Sequence, residues 1–272
     1  MLPVRMTDDG PDMDEVERLV QDESVKGMFC VPKYSNPCGI TFSDATVERI
    51  ASMQTAAADF RVIWDNAYAI HDLSDTPDVL SEIFTACARY GTEDRVIEVA
   101  SFAKVSYPGS CVSCLVASKA NLAQIEKRLS FQTINYDKVN QMRHLRFFGD
   151  ADGVRAHMKK QAAILKPKFD VVLQTFDREL SGKGIACWTK PNGGYFVSLD
   201  VPDGCAKRVV ALCREAGLLL TGAGATYPYK NDPRDRNIRI APTFPSVQEL
   251  QQAMDVLCVC IEIAAIEKLL SA

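Results

Sequence analysis

Only eight residues, 103–110, separate two apolar runs, "RVIEVASF" (95–102) and "CVSCLVAS" (111–118). A crossover between parallel strands needs a dozen residues or more, so the second run must return antiparallel to the first. The earlier runs, "GMFCVPKY" (27–34) and "FRVIWD" (60–65), carry no such restriction. The segments between them are long enough for helices and patterned for them. Asp12 and Glu15 have capping-box spacing ahead of Val16, Leu19 and Val20. Ser43 precedes Val47, Ile50 and Met53, and a further helical stretch is expected over 77–90. Strands alternating with helices predict right-handed crossovers and a parallel sheet. The runs are rich in Val, Ile and Phe with little alternation, which predicts strands covered on both faces.

The pattern changes after residue 150. "GVRAHMKKQAAILKPKFDVVLQTFDREL" reads as one long helix, with a kink or break expected at Pro167. "PNGGYFVSLD" (191–200), a helix near 205–216, "NIRIAPTF" (237–244) and a helix capped by Ser246 and Glu249 that reaches Leu270 make a smaller α/β unit. The expected fold class is therefore α/β, a mostly parallel sheet plus a small C-terminal α/β domain. We divide the chain into residues 1–155 and 156–272.

Composition narrows the function. With 47% hydrophobic residues in 272 the chain can build a sizeable core, and a net charge of −4 disfavours nucleic acid or an anionic membrane as main partner. No apolar run approaches the roughly 20 residues that span a bilayer, and the acidic first twenty residues have no apolar signal core, so a cytoplasmic location is expected. The ten cysteines are scattered, and Cys111 and Cys114 form a single CxxC on an expected strand with no partner motif. Reduced thiols are expected rather than disulfides or a metal.

Ligands of open α/β sheets bind beyond the carboxyl ends of the parallel strands. Asn36, Asp65 and Lys104 fall at or just past those ends, and Tyr68 follows Asp65 by three residues. Singly, each has an ordinary reading: a turn residue, a solvated lysine, a packing tyrosine. Together on one rim they suit a pyridoxal cofactor. A partly desolvated lysine can form a Schiff base with an aldehyde. A carboxylate such as Asp65 keeps the ring nitrogen protonated, and Asn36 and Tyr68 can donate to the ring's phenolic oxygen.

The same residues carry a family resemblance. "SNPCG" (35–39) resembles the Asn-Pro-Thr-Gly motif of fold-type I pyridoxal-phosphate-dependent aminotransferases, with Cys38 in place of Thr. "DNAY" (65–68), "SFAK" (101–104) followed by "PG" (108–109), "PNGGYF" and "NIRIAPTF" resemble further motifs of class I/II members in the same order, over essentially the whole chain. "VPKYSNP", "KVNQMRH" and "GGYFVSLDV" point to a bacterial aspartate aminotransferase-like branch. The resemblance implies pyridoxal 5'-phosphate as cofactor, Lys104 as Schiff-base lysine and proton shuttle, and Asp65 at the pyridine nitrogen. It further implies Asn36 and Tyr68 at the ring oxygen, Ser101 at the phosphate, and Arg239 as clamp for the substrate α-carboxylate, a task suited to a bidentate guanidinium. The reaction implied moves an amino group from an amino acid such as aspartate to a 2-oxo acid such as 2-oxoglutarate, in a homodimer. Without the motif, the plainer reading of Arg239 is half of a surface ion pair with a nearby acid such as Asp235.

Two departures stand out. "SCVS" (110–113) replaces the stretch where many members place a phosphate-binding arginine. Lys138 in "YDKVN", from a partner subunit, is a candidate substitute beside its plainer reading as a solvated loop lysine. Family members are also longer at the N-terminus, so N-terminal strands of the sheet and a phosphate-cradling helix start are expected to be missing. A second carboxylate on the substrate would need another cation, for which Arg143 and Arg146 are candidates beside their plainer reading as helix-surface ion pairs. Two alternatives stay open: a catalytically silent homologue acting as a binding or partner-complementing module, and a non-pyridoxal enzyme using Lys104 as nucleophile, which leaves Asp65 and Asn36 unexplained.

Overall fold

The computed structural model describes residues 1–271. A short hairpin, β1 (Met6–Thr7) and β2 (Gly10–Pro11), leads into α1 (Met13–Leu19). Then come β3 (Gly27–Cys30), α2 (Asp44–Ser52), β4 (Arg61–Asp65), α3 (Ile83–Ala88), β5 (Val96–Ser101) and β6 (Ser113–Ala117). These four strands form one sheet in the order β3-β4-β5-β6. The first three run parallel, and β6 pairs antiparallel with β5, Ser101 facing Ser113, as the short link requires.

Several boundaries differ from the sequence reading. β3 stops at Cys30 because Pro32 lacks an N–H and Tyr34 turns the chain with φ of 49°. β6 starts at Ser113, so Cys111 lies ahead of it and only Cys114 is on it. The helix expected over 77–90 forms only at α3, where Glu82 caps the Phe84 and Thr85 amides. At α1 the capping box is half formed: Asp12 accepts from the Glu15 amide, but Glu15 accepts from the Arg5 amide instead of returning the bond. The strands are not covered evenly. Val62 and Trp64 on β4 are buried while Arg61, Ile63 and Asp65, which alternate with them, are half-buried, and most of β6 is exposed among the described residues. The covered face packs Val62, Trp64 and Val96 on Val47, Ile50, Ile83 and Cys87 from α2 and α3. Fully burying side chains of this size contributes about 1.5–3 kcal/mol each.

Helices α4 (Lys119–Gln132) and α5 (Lys138–Phe148) precede α6 (Ala151–Glu179), 29 residues long. Pro167 sits inside α6 without breaking it. Proline removes one backbone donor, and the turn that follows is held by the buried Phe169, Val172 and Phe176. The C-terminal unit has an antiparallel sheet of β7 (Cys187–Trp188), β8 (Val197–Asp200) and β9 (Asn237–Ile240), with α7 (Ala206–Glu215) and α8 (Val247–Leu270). Ser246 and Glu249 make both bonds of the capping box expected there. Val197, Leu199, Ile238, Leu257 and Ile261 form a second core with α6.

The two parts meet where the 71–73 segment pairs with 192–194. The Leu73 amide donates to the Asn192 carbonyl and the Gly194 amide to the His71 carbonyl, both at 2.8 Å. Only glycine fits at 193, since a Cβ there would stand 2.2 Å from the Tyr34 ring.

Candidate active site

The turn after β3 holds Asn36. Its support is buried. Lys33, 8% exposed, donates to Asp72 Oδ1 at 2.8 Å and to the Ala69 carbonyl at 3.0 Å. Tyr34, 1% exposed, donates its hydroxyl to the same carboxylate oxygen at 2.7 Å. The Asn36–Pro37 bond is cis, and Gly39, with φ of 70°, closes the turn against Pro191. Asn36 itself stays exposed.

Arg239 reaches this asparagine from β9. Its Nη1 donates to Asn36 Oδ1 at 3.1 Å, joining residues 203 apart in sequence. The guanidinium lies 4.5 Å from the Phe196 ring centroid, and its buried Nε has no partner. Among the described residues Arg239 makes no ion pair; Asp235 instead accepts from the Lys207 amide.

Asp65 ends β4, half-buried and unpaired among the described residues. Tyr68, three residues past Asp65, is buried, and burial pushes its hydroxyl up to about 12, with the Asp65 charge adding to the rise and Arg239 opposing it. Lys104 lies in a turn three residues past β5. Its side chain is exposed, not desolvated as the sequence reading assumed, and its Nζ stands 5.0 Å from the Tyr68 ring centroid. Ser101 Oγ accepts from the Ala103 amide at 3.0 Å and lies 3.7 Å from Cys111 Sγ, so it shapes that turn.

Asn36, Asp65, Tyr68, Lys104 and Arg239 are thus linked by contact or by charge at the carboxyl end of the sheet. Ser101 borders them at the end of β5. Arg143 and Arg146 are exposed on α5, without an ion pair among the described residues, and Lys138 opens that helix, also exposed. Sequence reasoning passed over Lys33, Asp72, Phe196, Tyr195 and His71. The last is 4% exposed, packs edge-on to Tyr68 with centroids 5.5 Å apart, and has no partner at either ring nitrogen. Burial holds it neutral, lowering its pKa to about 4. The visible signal was scarcity: the chain has three histidines.

A cavity of about 330 Å³ opens on the other side of β4, among Trp64, Asn66, Glu98 and the 78–83 segment. It touches none of Asn36, Asp65, Tyr68, Lys104 and Arg239, and the lysine on its wall, Lys33, is already held by Asp72.

The donor set fits pyridoxal phosphate. A lysine, an unpaired strand-end carboxylate, a tyrosine hydroxyl and an asparagine stand together, and the arginine beside them has hydrogen-bonding capacity not spent within the chain. The phosphate end is less provided for, with Ser101 and no arginine in 110–113.

The family model for aspartate amino-transferase matches residues 1–272. The chain is similar to a putative aminotransferase of Mycolicibacterium smegmatis, with 48% identity over 99% of this chain and 63% of the relative. It is also similar to an aspartate aminotransferase of Corynebacterium glutamicum, with 46% identity over 98% of this chain and 62% of the relative. The crystal structure of an aspartate transaminase from Corynebacterium glutamicum superposes with a TM-score of 0.96 at 46% identity, covering 98% of this chain and 63% of that one. The chain spans under two thirds of the length of these relatives.

Proposed function

Since the chain belongs to the aspartate amino-transferase family, we propose that it carries the lysine and the substrate clamp of a pyridoxal-phosphate-dependent aminotransferase. The amino donor proposed is aspartate, after the relatives' printed activity, and the acceptor a 2-oxo acid such as 2-oxoglutarate. One observation carries this reading: Asn36 and Arg239, 203 residues apart, meet at 3.1 Å beside the ring over which Lys104 stands.

Bound pyridoxal phosphate supplies an electron sink that weakens the bonds at the substrate α-carbon. Around it the chain's residues have separate tasks. Asp65 keeps a proton on the pyridine nitrogen. Tyr68 and Asn36 donate to the ring oxygen. Arg239, already oriented by Asn36 and Phe196, takes the substrate α-carboxylate. Lys104 Nζ would hold the cofactor, and as a free amine it would move the proton at the substrate α-carbon. Ser101 donates to the phosphate, with Lys138 of a second copy as a further cation. The division at residues 155 and 156, the homodimer and the cytoplasmic location belong to this proposal. Among the described residues no helix is long and apolar enough to cross a membrane.

The test is titration of the chain with pyridoxal phosphate, borohydride reduction and peptide mapping, followed by assay of oxaloacetate formed from aspartate and 2-oxoglutarate. Label concentrated on Lys104 and lost in Lys104→Ala supports the reading. Label spread over surface lysines overturns it, and selective label without turnover favours a silent binding module.

A further inference from the structure

Lys104 is exposed, and its turn runs into Pro108 and Gly109, with open space around the glycine. The buried Val105 and the bonds of the Val105 and Ser106 amides to the Phe102 carbonyl close the turn locally. Beyond that, three consecutive residues of the turn are each gripped by a side chain from a different part of the molecule. The Lys104 carbonyl accepts from the Tyr195 hydroxyl at 3.1 Å. The Val105 carbonyl accepts from Gln161 Nε2 at 2.7 Å, with His157 Nε2 2.9 Å from the same oxygen. Ser106 Oγ lies 2.9 Å from His144 Nε2. Tyr195 comes from the C-terminal unit, Gln161 and His157 from α6, and His144 from α5.

Each holder is itself fixed. His144 Nδ1 lies 2.9 Å from the Asn140 carbonyl, so that nitrogen donates and Nε2 receives the Ser106 hydroxyl. His157 is wedged edge-on to Phe147 and Phe148 at 5.5 and 5.4 Å. Tyr195 packs on His71 at 5.4 Å and on Tyr68 at 6.0 Å, and Tyr68 is the ring beneath the Lys104 ammonium. All three histidines of the chain thus surround this one turn.

We propose that Tyr195, Gln161, His157 and His144 are positioning residues for Lys104, suspending the 104–106 turn from three elements at once so that the ammonium is held over Tyr68. Because two suspension points lie on α6 and the C-terminal unit, any shift of that unit against the sheet moves the lysine. The proposal deepens the aminotransferase reading and rests on it for the lysine's task.

The experiment uses the full chain and three variants. Tyr195→Phe and Gln161→Leu each remove donors with little change of volume. Ser246→Ala weakens the α8 cap far from the turn and controls for general loss of stability. Two readouts are taken on each: the pyridoxyl label trapped on Lys104 relative to other lysines, and amide hydrogen exchange of peptides covering 102–110. One lost hydrogen bond should lower the Lys104 preference roughly fivefold. Tyr195→Phe and Gln161→Leu are expected to show that drop together with faster exchange at 102–110, and Ser246→Ala neither. Unchanged preference and exchange in both turn variants overturn the proposal, as does an equal drop in the control. If the unmodified chain takes no selective label, the aminotransferase reading fails instead. Exchange alone then judges the suspension: faster in the turn variants upholds it, unchanged overturns it.

Discussion

The two lips of the site are built by opposite means. The Asn36 lip rests on buried groups: Lys33 and Tyr34 share the Asp72 carboxylate, and the Gly193–Gly194 backbone presses on the Tyr34 ring. The Lys104 lip exposes its lysine, buries only Val105, and is tied to the rest of the molecule by side-chain hydrogen bonds between uncharged or neutral groups. A buried charge that loses its partner has no water to turn to, whereas a hydrogen bond near the surface is replaced by water at small cost. The first lip should therefore be costly to disturb and rigid. The second should be cheap to disturb in global stability yet sensitive in position. That suits the task proposed for Lys104, to release one partner and take up another.

The largest expected effect is at Asp72. Asp72→Ala leaves the Lys33 ammonium buried without its counter-ion and the Tyr34 hydroxyl without its acceptor. Asp72 is about one third exposed, which reduces the penalty of a fully buried pair, so about 3 kcal/mol of unfolding free energy should be lost. Urea unfolding measures it, and a loss under 1 kcal/mol would erase the contrast between the lips.

The next effect is a pH dependence at His71, which sits between them. Its folded pKa is near 4 and its ordinary value 6.5, with Lys33, Asp72 and Lys104 as the charged groups facing it. Below pH 6.5 the unfolded chain binds a proton that the folded chain refuses. Stability is therefore full above pH 6.5 and falls as the pH drops toward 4, by about 2–3 kcal/mol at pH 4.5. Urea midpoints across this range should show the slope, and His71→Phe should flatten it. A slope unchanged in that variant would assign the loss to other groups.

A smaller cost is expected for Gly193→Ala. The added carbon would sit 2.2 Å from the Tyr34 ring and 2.5 Å from the His71 carbonyl, so the 192–194 segment must retreat. About 2 kcal/mol is expected, in the range for overpacking. Asn36 and Arg239 meet across that contact, so the variant should also weaken substrate binding, raising KM more than it lowers kcat. A normal melting temperature would show that the join has slack.

Much of this was legible in the sequence where local rules act alone. The eight-residue link fixed the direction of β6, and Ser246 with Glu249 announced the start of α8. Asn36, Asp65 and Lys104 could be placed at strand ends because parallel strands put their carboxyl ends on one rim. What escaped depends on distant partners. The 66–82 segment stays largely irregular because Asp72 and Asp78 are drawn to Tyr34 and Asn192 rather than into a helix. Nothing local to His144 announces Ser106, 38 residues away, and nothing local to His157 announces Val105, 52 residues away. Pro167 misled in the other direction, since packing of α6 on α8 outweighs one missing backbone bond.

The smallest expected effect is on the suspended lip itself. Ser106→Ala removes the hydroxyl that donates to His144 Nε2, or in its other orientation to the Phe102 carbonyl 3.1 Å away. The imidazole keeps its bond to the Asn140 carbonyl, and the Phe102 carbonyl keeps the Ser106 amide at 2.8 Å, so no group is left wholly unpaired. A net hydrogen bond is worth about 1 kcal/mol, and partial compensation by water should hold the loss below that. Urea unfolding should then barely separate Ser106→Ala from the unmodified chain, while Asp72→Ala stands well apart. The difference between the two variants, measured under one buffer, gives the comparison its number. If Ser106→Ala costs as much as Asp72→Ala, the Lys104 turn is a structural keystone and not a suspended lip. If it costs little but speeds hydrogen exchange at 102–110, the turn is held in place by bonds that global stability hardly registers.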